Sequence, residues 1–185
     1  MIAICVGHSR PGDGGSVSTG GVDEHTFNSR LAAIVASRLT AMGQPCTVIS
    51  AYQGASYGAA MLWLAGRMAD LKATCCVELH FNDSDNAAAN GHQWLYWHAS
   101  DRSKGLATAL SRRMQSAFPT AKARGLIPVT MQDRGGDFCR STPCPAVICE
   151  PFFGSNAVEW ALYSTHQDRL AQVIADALTD FTPRP

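Results

Sequence analysis

Three apolar segments each run into a residue that can bind a metal or move a proton: His8 after Ile4-Cys5-Val6-Gly7, His80 after Cys75 to Leu79, and Glu150 after Ala146 to Cys149. A fourth such residue, Glu24, follows a stretch rich in Gly and Ser, from Arg10 to Gly21, and opens a run with helical spacing. Two imidazoles and a carboxylate are a recurrent ligand set for catalytic zinc, with the fourth position left to water. Zinc lowers the pKa of such a water toward about 7, so a further carboxylate within hydrogen-bond reach can act as general base toward a polarised carbonyl. That is hydrolytic chemistry on an amide or ester. Taken singly, each residue has a plainer reading. A lone His at a strand end is more often a hydrogen-bonded bystander, and Glu24 suits a helix N-terminus on charge alone. Glu150 resists this, because a carboxylate ending an apolar strand costs several kcal/mol to bury unless paired or metal-bound. No short motif such as HExxH links the four.

Bringing these residues together requires a scaffold, and the periodicity supplies one. Strand-like and helix-like stretches alternate from end to end, which predicts an α/β fold: a single domain with a central twisted, mostly parallel sheet flanked by helices on both faces. Strands are expected at Met1 to His8, Cys46 to Ile49, Thr74 to Phe81, Gln93 to His98 and Pro145 to Cys149. Helical spacing marks Phe27 to Met42 with Gly43 just past the end, Gly58 to Leu71, the stretch between Ser103 and Pro119, and a last helix from Leu170 to Phe181. Ala121 to Thr142 reads mostly as loop, and the tail Thr182 to Pro185 is expected to fray. Ligands in open α/β sheets sit beyond the carboxyl ends of the strands, so parallel strands bring His8, His80 and Glu150 to one rim, with Glu24 facing it from the first helix.

At 185 residues and 46% hydrophobic, the chain can bury one sizeable core. Fifteen basic residues balance fifteen acidic ones, so no uniform positive field exists to hold nucleic acid or an anionic membrane. No run approaches the roughly 18 to 20 apolar residues of a membrane span. The opening lacks the basic leader and cleavage site of a secretory signal. A soluble monomer made in the cytoplasm is expected. Seven cysteines, an odd count with Cys75 and Cys76 adjacent, do not resemble a disulfide framework. Cys139, Cys144 and Cys149 recur every fifth residue but lack the short-gap pairs of structural zinc sites, which leaves buried thiols as the favoured reading.

At the four polar residues the sequence resembles the zinc-dependent N-acetylmuramoyl-L-alanine amidase family, which includes bacterial cell-separation amidases and many phage endolysins. The likeness runs through nearly the whole chain. Gly7-His8 through Gly20-Gly21 to Glu24 resembles the family's Gly-His, glycine-rich loop and helix-opening glutamate. Glu78-Leu79-His80-Phe81-Asn82-Asp83 resembles its apolar strand ending in His. Pro145-Ala146-Val147-Ile148-Cys149-Glu150 with Pro151 to Asn156 resembles its Pro-Ala-Val strand, catalytic glutamate and the Gly-Phe and Ser-Asn positions beyond. The resemblance implies that His8, Glu24 and His80 bind one Zn2+ and that Glu150 activates water and then protonates the leaving amine. It also implies a peptidoglycan or muropeptide substrate, cut between N-acetylmuramic acid and L-alanine. Residues 1–185 then form the catalytic domain, without a wall-binding domain, and act on the cell wall after release from the cytoplasm as a phage-like lytic enzyme. Two departures stand out: Ser50 and Ala51 replace an arginine commonly found after the second strand, and a phenylalanine follows Pro151.

Other residues invite roles around that site. Glu78 shares a strand face with His80, either to hydrogen-bond a ligand or to pair with a buried Arg or Lys. Asn82 could orient substrate or simply form a turn. The segment from Ala121 to Cys139, with Arg124, Arg134 and Gly135-Gly136, could wall the cleft. Arg134 there would grip a stem-peptide carboxylate, or else be solvated on a loop. Trp94 and Tyr96 should share one strand face and Trp97 the other. His25 is expected to be exposed, and His92, His98 and His166 to be bystanders. Two other functions remain open at this point: a zinc carboxypeptidase or peptide amidase acting on stem peptides, and a wall-binding module without turnover.

Overall fold

The computed structural model describes residues 1–181; the expectation for Thr182 to Pro185 lies outside the described residues. Six strands form one sheet in the order β2-β1-β3-β6-β4-β5. They are β1 (Ile2–Val6), β2 (Cys46–Ile49), β3 (Cys75–Leu79), β4 (His92–Trp97), β5 (Ala123–Val129) and β6 (Ala146–Glu150). The first and third are buried along their lengths and the sixth as far as Cys149, as near-continuous apolar runs in the middle of a parallel sheet should be. β1, β2, β3 and β6 run parallel, whereas β4 pairs antiparallel with β6 and parallel with β5.

Helices cover both faces. On one side α1 (Glu24–Ala41), α3 (Asp101–Ala117) and α6 (Gln167–Phe181) pack together over Ile2, Ile4, Val77, Trp94 and Val147. On the other, α2 (Tyr57–Asp70) and α4 (Gly136–Ser141) cover Ala3, Cys5, Cys76, Leu95 and Ile148. The remaining helix, α5 (Ala157–Thr165), begins at Asn156, whose side-chain oxygen accepts from the amides of Val158 and Glu159. A side-chain acceptor at this position satisfies amides that a helix start leaves open. The fold is therefore the single-domain, mostly parallel α/β arrangement the periodicity indicates.

The segment 121–142 departs from the expected loop, because it holds β5 and α4. β5 contains Gly125 and Pro128 and is half exposed at the sheet edge, where a proline removes no needed hydrogen bond. α4 has only six residues, too few for periodicity to reveal. The aromatic strand behaves as alternation requires: Trp94 and Tyr96 lie in the α1/α3/α6 core and Trp97 packs on the opposite face. All seven cysteines are free, five of them buried.

Candidate active site

The catalytic rim is built by the loops that leave β1, β3 and β6. Gly7 donates its amide to the Leu79 carbonyl and His80 donates to that of Cys149, so the three strand ends stay in register one residue past the ladder. The chain then turns sharply at His8, whose φ of 57° lies in the left-handed region. The loop that follows folds back on itself, with the Glu24 amide bonded to the Ser16 carbonyl and that of His25 to Gly14. Asp23 caps α1 by accepting from the Thr26 amide at 2.8 Å. This delivers Glu24, the first residue of α1, to the space between His8 and His80.

There the three side chains converge. Glu24 Oε1 lies 2.8 Å from His80 Nδ1, and Glu24 Oε2 lies 3.3 Å from His8 Nε2. One donor atom from each residue falls within 4.8 Å of the other two. Glu24 is only 3% exposed, and no Lys or Arg pairs with it among the described residues. The Ser16 and Phe81 amides donate to its oxygens at 3.3 and 3.1 Å. Burial alone would raise the Glu24 carboxyl, but the two imidazoles more than cancel this and hold it at about 2. His80 shows the reverse balance: burial disfavours its charge, yet Glu24 and Glu78 push it up to about 10. Glu24 likewise holds His8 above its ordinary value.

Each imidazole has a second carboxylate on its far nitrogen. His8 Nδ1 is 2.8 Å from Asp13 Oδ1, and the same oxygen accepts from the Gly15 amide at 3.2 Å. His80 Nε2 is 3.2 Å from Glu78 Oε2, off the line of the ring N–H, so this buried nitrogen has an ionic neighbour without an aligned hydrogen bond. Glu78 is buried and its other oxygen accepts from the Tyr52 hydroxyl at 2.8 Å. No Lys or Arg pairs with Glu78 among the described residues.

These features fit a divalent cation of the zinc type. Its donors would be two imidazoles and a carboxylate, the chemistry of an open catalytic zinc site, and Asp13 and Glu78 supply the outer carboxylates that orient ligating histidines. The rings also need room. A Cβ on Gly7 would collide with the His80 imidazole, and one on Gly15 would strike His8 and the Glu24 stem.

Glu150 lines the same cleft at the end of β6, one residue past the Leu79–Cys149 pair, and His80 follows β3 at the same level. Its partners differ in kind: Asn82 Nδ2 donates to Oε2 at 2.9 Å, and Gln93 Nε2 donates to the same oxygen. Burial pushes its carboxyl above the usual range, opposed by Gln93, His80 and Arg134 and reinforced by Glu24. The cleft holds about 710 Å³. Tyr57, Met61, Leu95 and Ile148 form an apolar part of its wall, and exposed Arg134 stands at the edge next to Gly135. The loop carrying Glu150 is tied to the one carrying His80: Asn82 exchanges backbone bonds with Phe152 and Gly154, Ser155 Oγ accepts from Ser84, and Asn156 donates to the Ala87 and Ala89 carbonyls. Ser155 and Asn156 thus serve architecture.

Sequence reasoning passed over Asp13, Tyr52 and Gln93. An isolated Asp five residues after His8 was the available signal for the first. The other two belong to sequence-distant elements, and neither carried a signal in its own residue type or spacing. Histidine 25 is half-buried, with Nε2 3.4 Å from the Ser50 carbonyl, where exposure was expected. His92 is fully buried and accepts from Trp94 Nε1 at 3.0 Å. Arg124 donates to Gln93 Oε1 and to the Asn90 carbonyl and is not among the residues lining the cleft.

Comparison with known proteins identifies the family and the fold. Residues 2–180 match the family described as N-acetylmuramoyl-L-alanine amidase. The catalytic domain of CwlV, an N-acetylmuramoyl-L-alanine amidase from Bacillus (Paenibacillus) polymyxa var. colistinus, is 26% identical, with a TM-score of 0.77 over 98% of each chain. The catalytic domain of the CD27L endolysin targeting Clostridia difficile is 22% identical, with a TM-score of 0.80 over 99% of this chain and 98% of that one. The CwlD amidase of Clostridioides difficile, solved in complex with the GerS lipoprotein, is 16% identical, with a TM-score of 0.83 over 97% of each. No curated protein matches the sequence significantly.

Proposed function

The chain belongs to the N-acetylmuramoyl-L-alanine amidase family and hydrolyses the amide bond between N-acetylmuramic acid and L-alanine in peptidoglycan; we propose that it does so as a one-zinc lytic enzyme, with His8, Glu24 and His80 holding the ion and Glu150 moving the proton. The observation that carries this reading is Glu24, a buried carboxylate held between two imidazoles with no Lys or Arg beside it among the described residues. Two imidazoles converging on one buried carboxylate are the donor set of an open catalytic zinc site, and neutral imidazoles alone would leave that carboxylate without the cation that offsets its burial. Zinc, when bound there, supplies Lewis-acid polarisation of the scissile carbonyl and acidifies the attacking water.

The chain's own residues do the rest. Glu150 accepts a proton from the attacking water and passes it to the departing L-alanine amine, a task suited to a carboxyl raised by burial. Asp13 holds the far nitrogen of His8, and Glu78, anchored by Tyr52, stands against that of His80. Asn82 keeps Glu150 in place, and Arg134 is positioned to meet a stem-peptide carboxylate at the cleft edge. The fold is shared with an endolysin catalytic domain as it is with other amidases, and a lytic use is the reading we adopt. Among the described residues no helix is long and apolar enough to cross a membrane.

Purified peptidoglycan digested by the enzyme should release intact stem peptides bearing a free L-alanine amine, detected by mass spectrometry. A chelator should stop the release and added zinc restore it. Trimmed peptides would instead indicate a carboxypeptidase, new reducing sugar ends a glycosidase, and binding without release a wall-binding module.

A further inference from the structure

β4 and β6 pair antiparallel with Gln93 directly opposite Glu150. Against β5, the register slips between His92 and Gln93, the kind of irregularity that re-aims side chains at a site. The slip leaves Arg124 of β5 as the extra, unpaired residue, while plain alternation along β4 sinks His92 beside Trp94 and turns Gln93 into the cleft. Its carboxamide and that of Asn82 both donate to Oε2 of Glu150. Oε1 receives no hydrogen bond from the described residues.

A free carboxamide could turn either end toward Glu150, and its oxygen there would repel the carboxylate. Arg124 decides the orientation. Its Nε donates to Gln93 Oε1 at 3.2 Å and its Nη1 to the Asn90 carbonyl at 3.3 Å. The guanidinium also lies 5.0 Å over the Phe153 ring, a favourable cation–π contact. Phe153 is fixed in turn by Glu159, whose two oxygens accept from the Phe153 and Gly91 amides at 2.8 Å each. An exposed cation is thus locked to the loop after β6 and to the start of β4, the two pieces of chain that carry Glu150 and Gln93.

We infer that Arg124 and Gln93 form a positioning relay for the amidase reaction: Arg124 pins the Gln93 carboxamide so that its N–H, with that of Asn82, caps one oxygen of Glu150 and leaves the other for the proton of water. The relay rests on Glu150 being the base of the proposed mechanism. In this relay both residues act through Glu150, as positioning residues. Besides the two amides, Arg134 favours the ionised form of Glu150 and Glu24 opposes it; His80 lines the same cleft and, as a zinc ligand, is a neutral imidazole. Removing one amide donor therefore weakens the ionised form and frees the carboxylate to rotate.

Steady-state kinetics on a soluble muramoyl peptide, with zinc content and the pH dependence of kcat/KM recorded for each variant, tests the relay. Gln93→Leu should lower kcat by about 10- to 100-fold, the usual loss when an orienting partner is removed. KM and zinc content should stay unchanged, and the acid limb should move to higher pH. Arg124→Met should shift the limb the same way with a smaller loss in kcat, and Gln93→Leu/Arg124→Met should be no worse than Gln93→Leu alone, because residues of one network are not additive. Wild-type kcat and acid limb in either single variant, or additive losses in the double, would overturn the relay. Should Gln93→Leu fold poorly by circular dichroism, the exposed Arg124→Met variant decides alone, and an unmoved acid limb there rejects it. Glu150→Gln is run alongside: full turnover in that variant removes the base itself, whereas its inactivity beside a wild-type-like Gln93→Leu sinks only the relay.

Discussion

The cleft holds two glutamates in opposite environments. Glu24 is gripped by two imidazoles and two backbone amides and stays ionised down to about pH 2. Glu150 is met mainly by neutral carboxamides and is pushed above the ordinary carboxylate range by burial. The same side chain is a permanent anion on one wall and is more easily protonated on the other, because its neighbours differ in charge. Surroundings that separate two carboxylates in this way also separate their roles: one suits a cation, the other a proton that must come and go.

The contrast can be broken from the anionic side first. Glu24→Gln removes the charge that two imidazoles are built around, so the protein should lose its zinc and, with it, turnover by a hundredfold or more, on the order of what an essential catalytic group supplies. Metal analysis after gel filtration checks the first and muropeptide release the second. Asp13→Ala should act on the same wall more gently. It frees the His8 ring without removing a ligand, and zinc affinity measured against a competing chelator should fall about 10- to 100-fold.

How much of this cleft was legible beforehand follows from its construction. The four polar residues ended or opened elements with strong apolar periodicity, and the parallel register of β1, β3 and β6 carried His8, His80 and Glu150 to one rim. Their partners were not legible. Gln93 faces Glu150 only because β4 runs antiparallel to β6, and alternation within a strand is blind to its direction. The short loop from His80 to Gly91 has no helix of the kind that returns a chain for parallel pairing, and that gap was the one available clue. Tyr52 lies between β2 and α2, where no periodicity speaks. β5 and α4 were hidden by Gly125 and Pro128 and by a six-residue length. α5 escaped because it exposes Val158 and Leu162 and buries Tyr163 alone, leaving no apolar stripe.

Two smaller effects sharpen the comparison from the Glu150 side. The acid limb of kcat/KM should lie above the 4.3 or so of an unperturbed glutamate, since the free enzyme must lose a proton from a raised carboxyl before it can act as base. A pH–rate profile on a soluble muramoyl peptide reads this directly. Behind that wall, burial also raises Glu159, against the two backbone amides and Arg124 that favour its charge. A folded-state pKa above the unfolded value makes the contribution of Glu159 to stability complete below about pH 4.3 and smaller as pH rises through the folded value. Glu159→Gln should therefore flatten a shallow decline in Tm over that window, measured by thermal melts at a series of pH values.

The division of labour between the two walls is tested most directly by measuring zinc stoichiometry and muropeptide release on one preparation of Glu150→Gln. The expected result is one zinc ion per chain with hydrolysis abolished, showing a filled cation site that lacks only its proton carrier. Hydrolysis at the wild-type rate, or loss of the ion together with the activity, would contradict the assignment of proton transfer to Glu150 and cation binding to His8, Glu24 and His80.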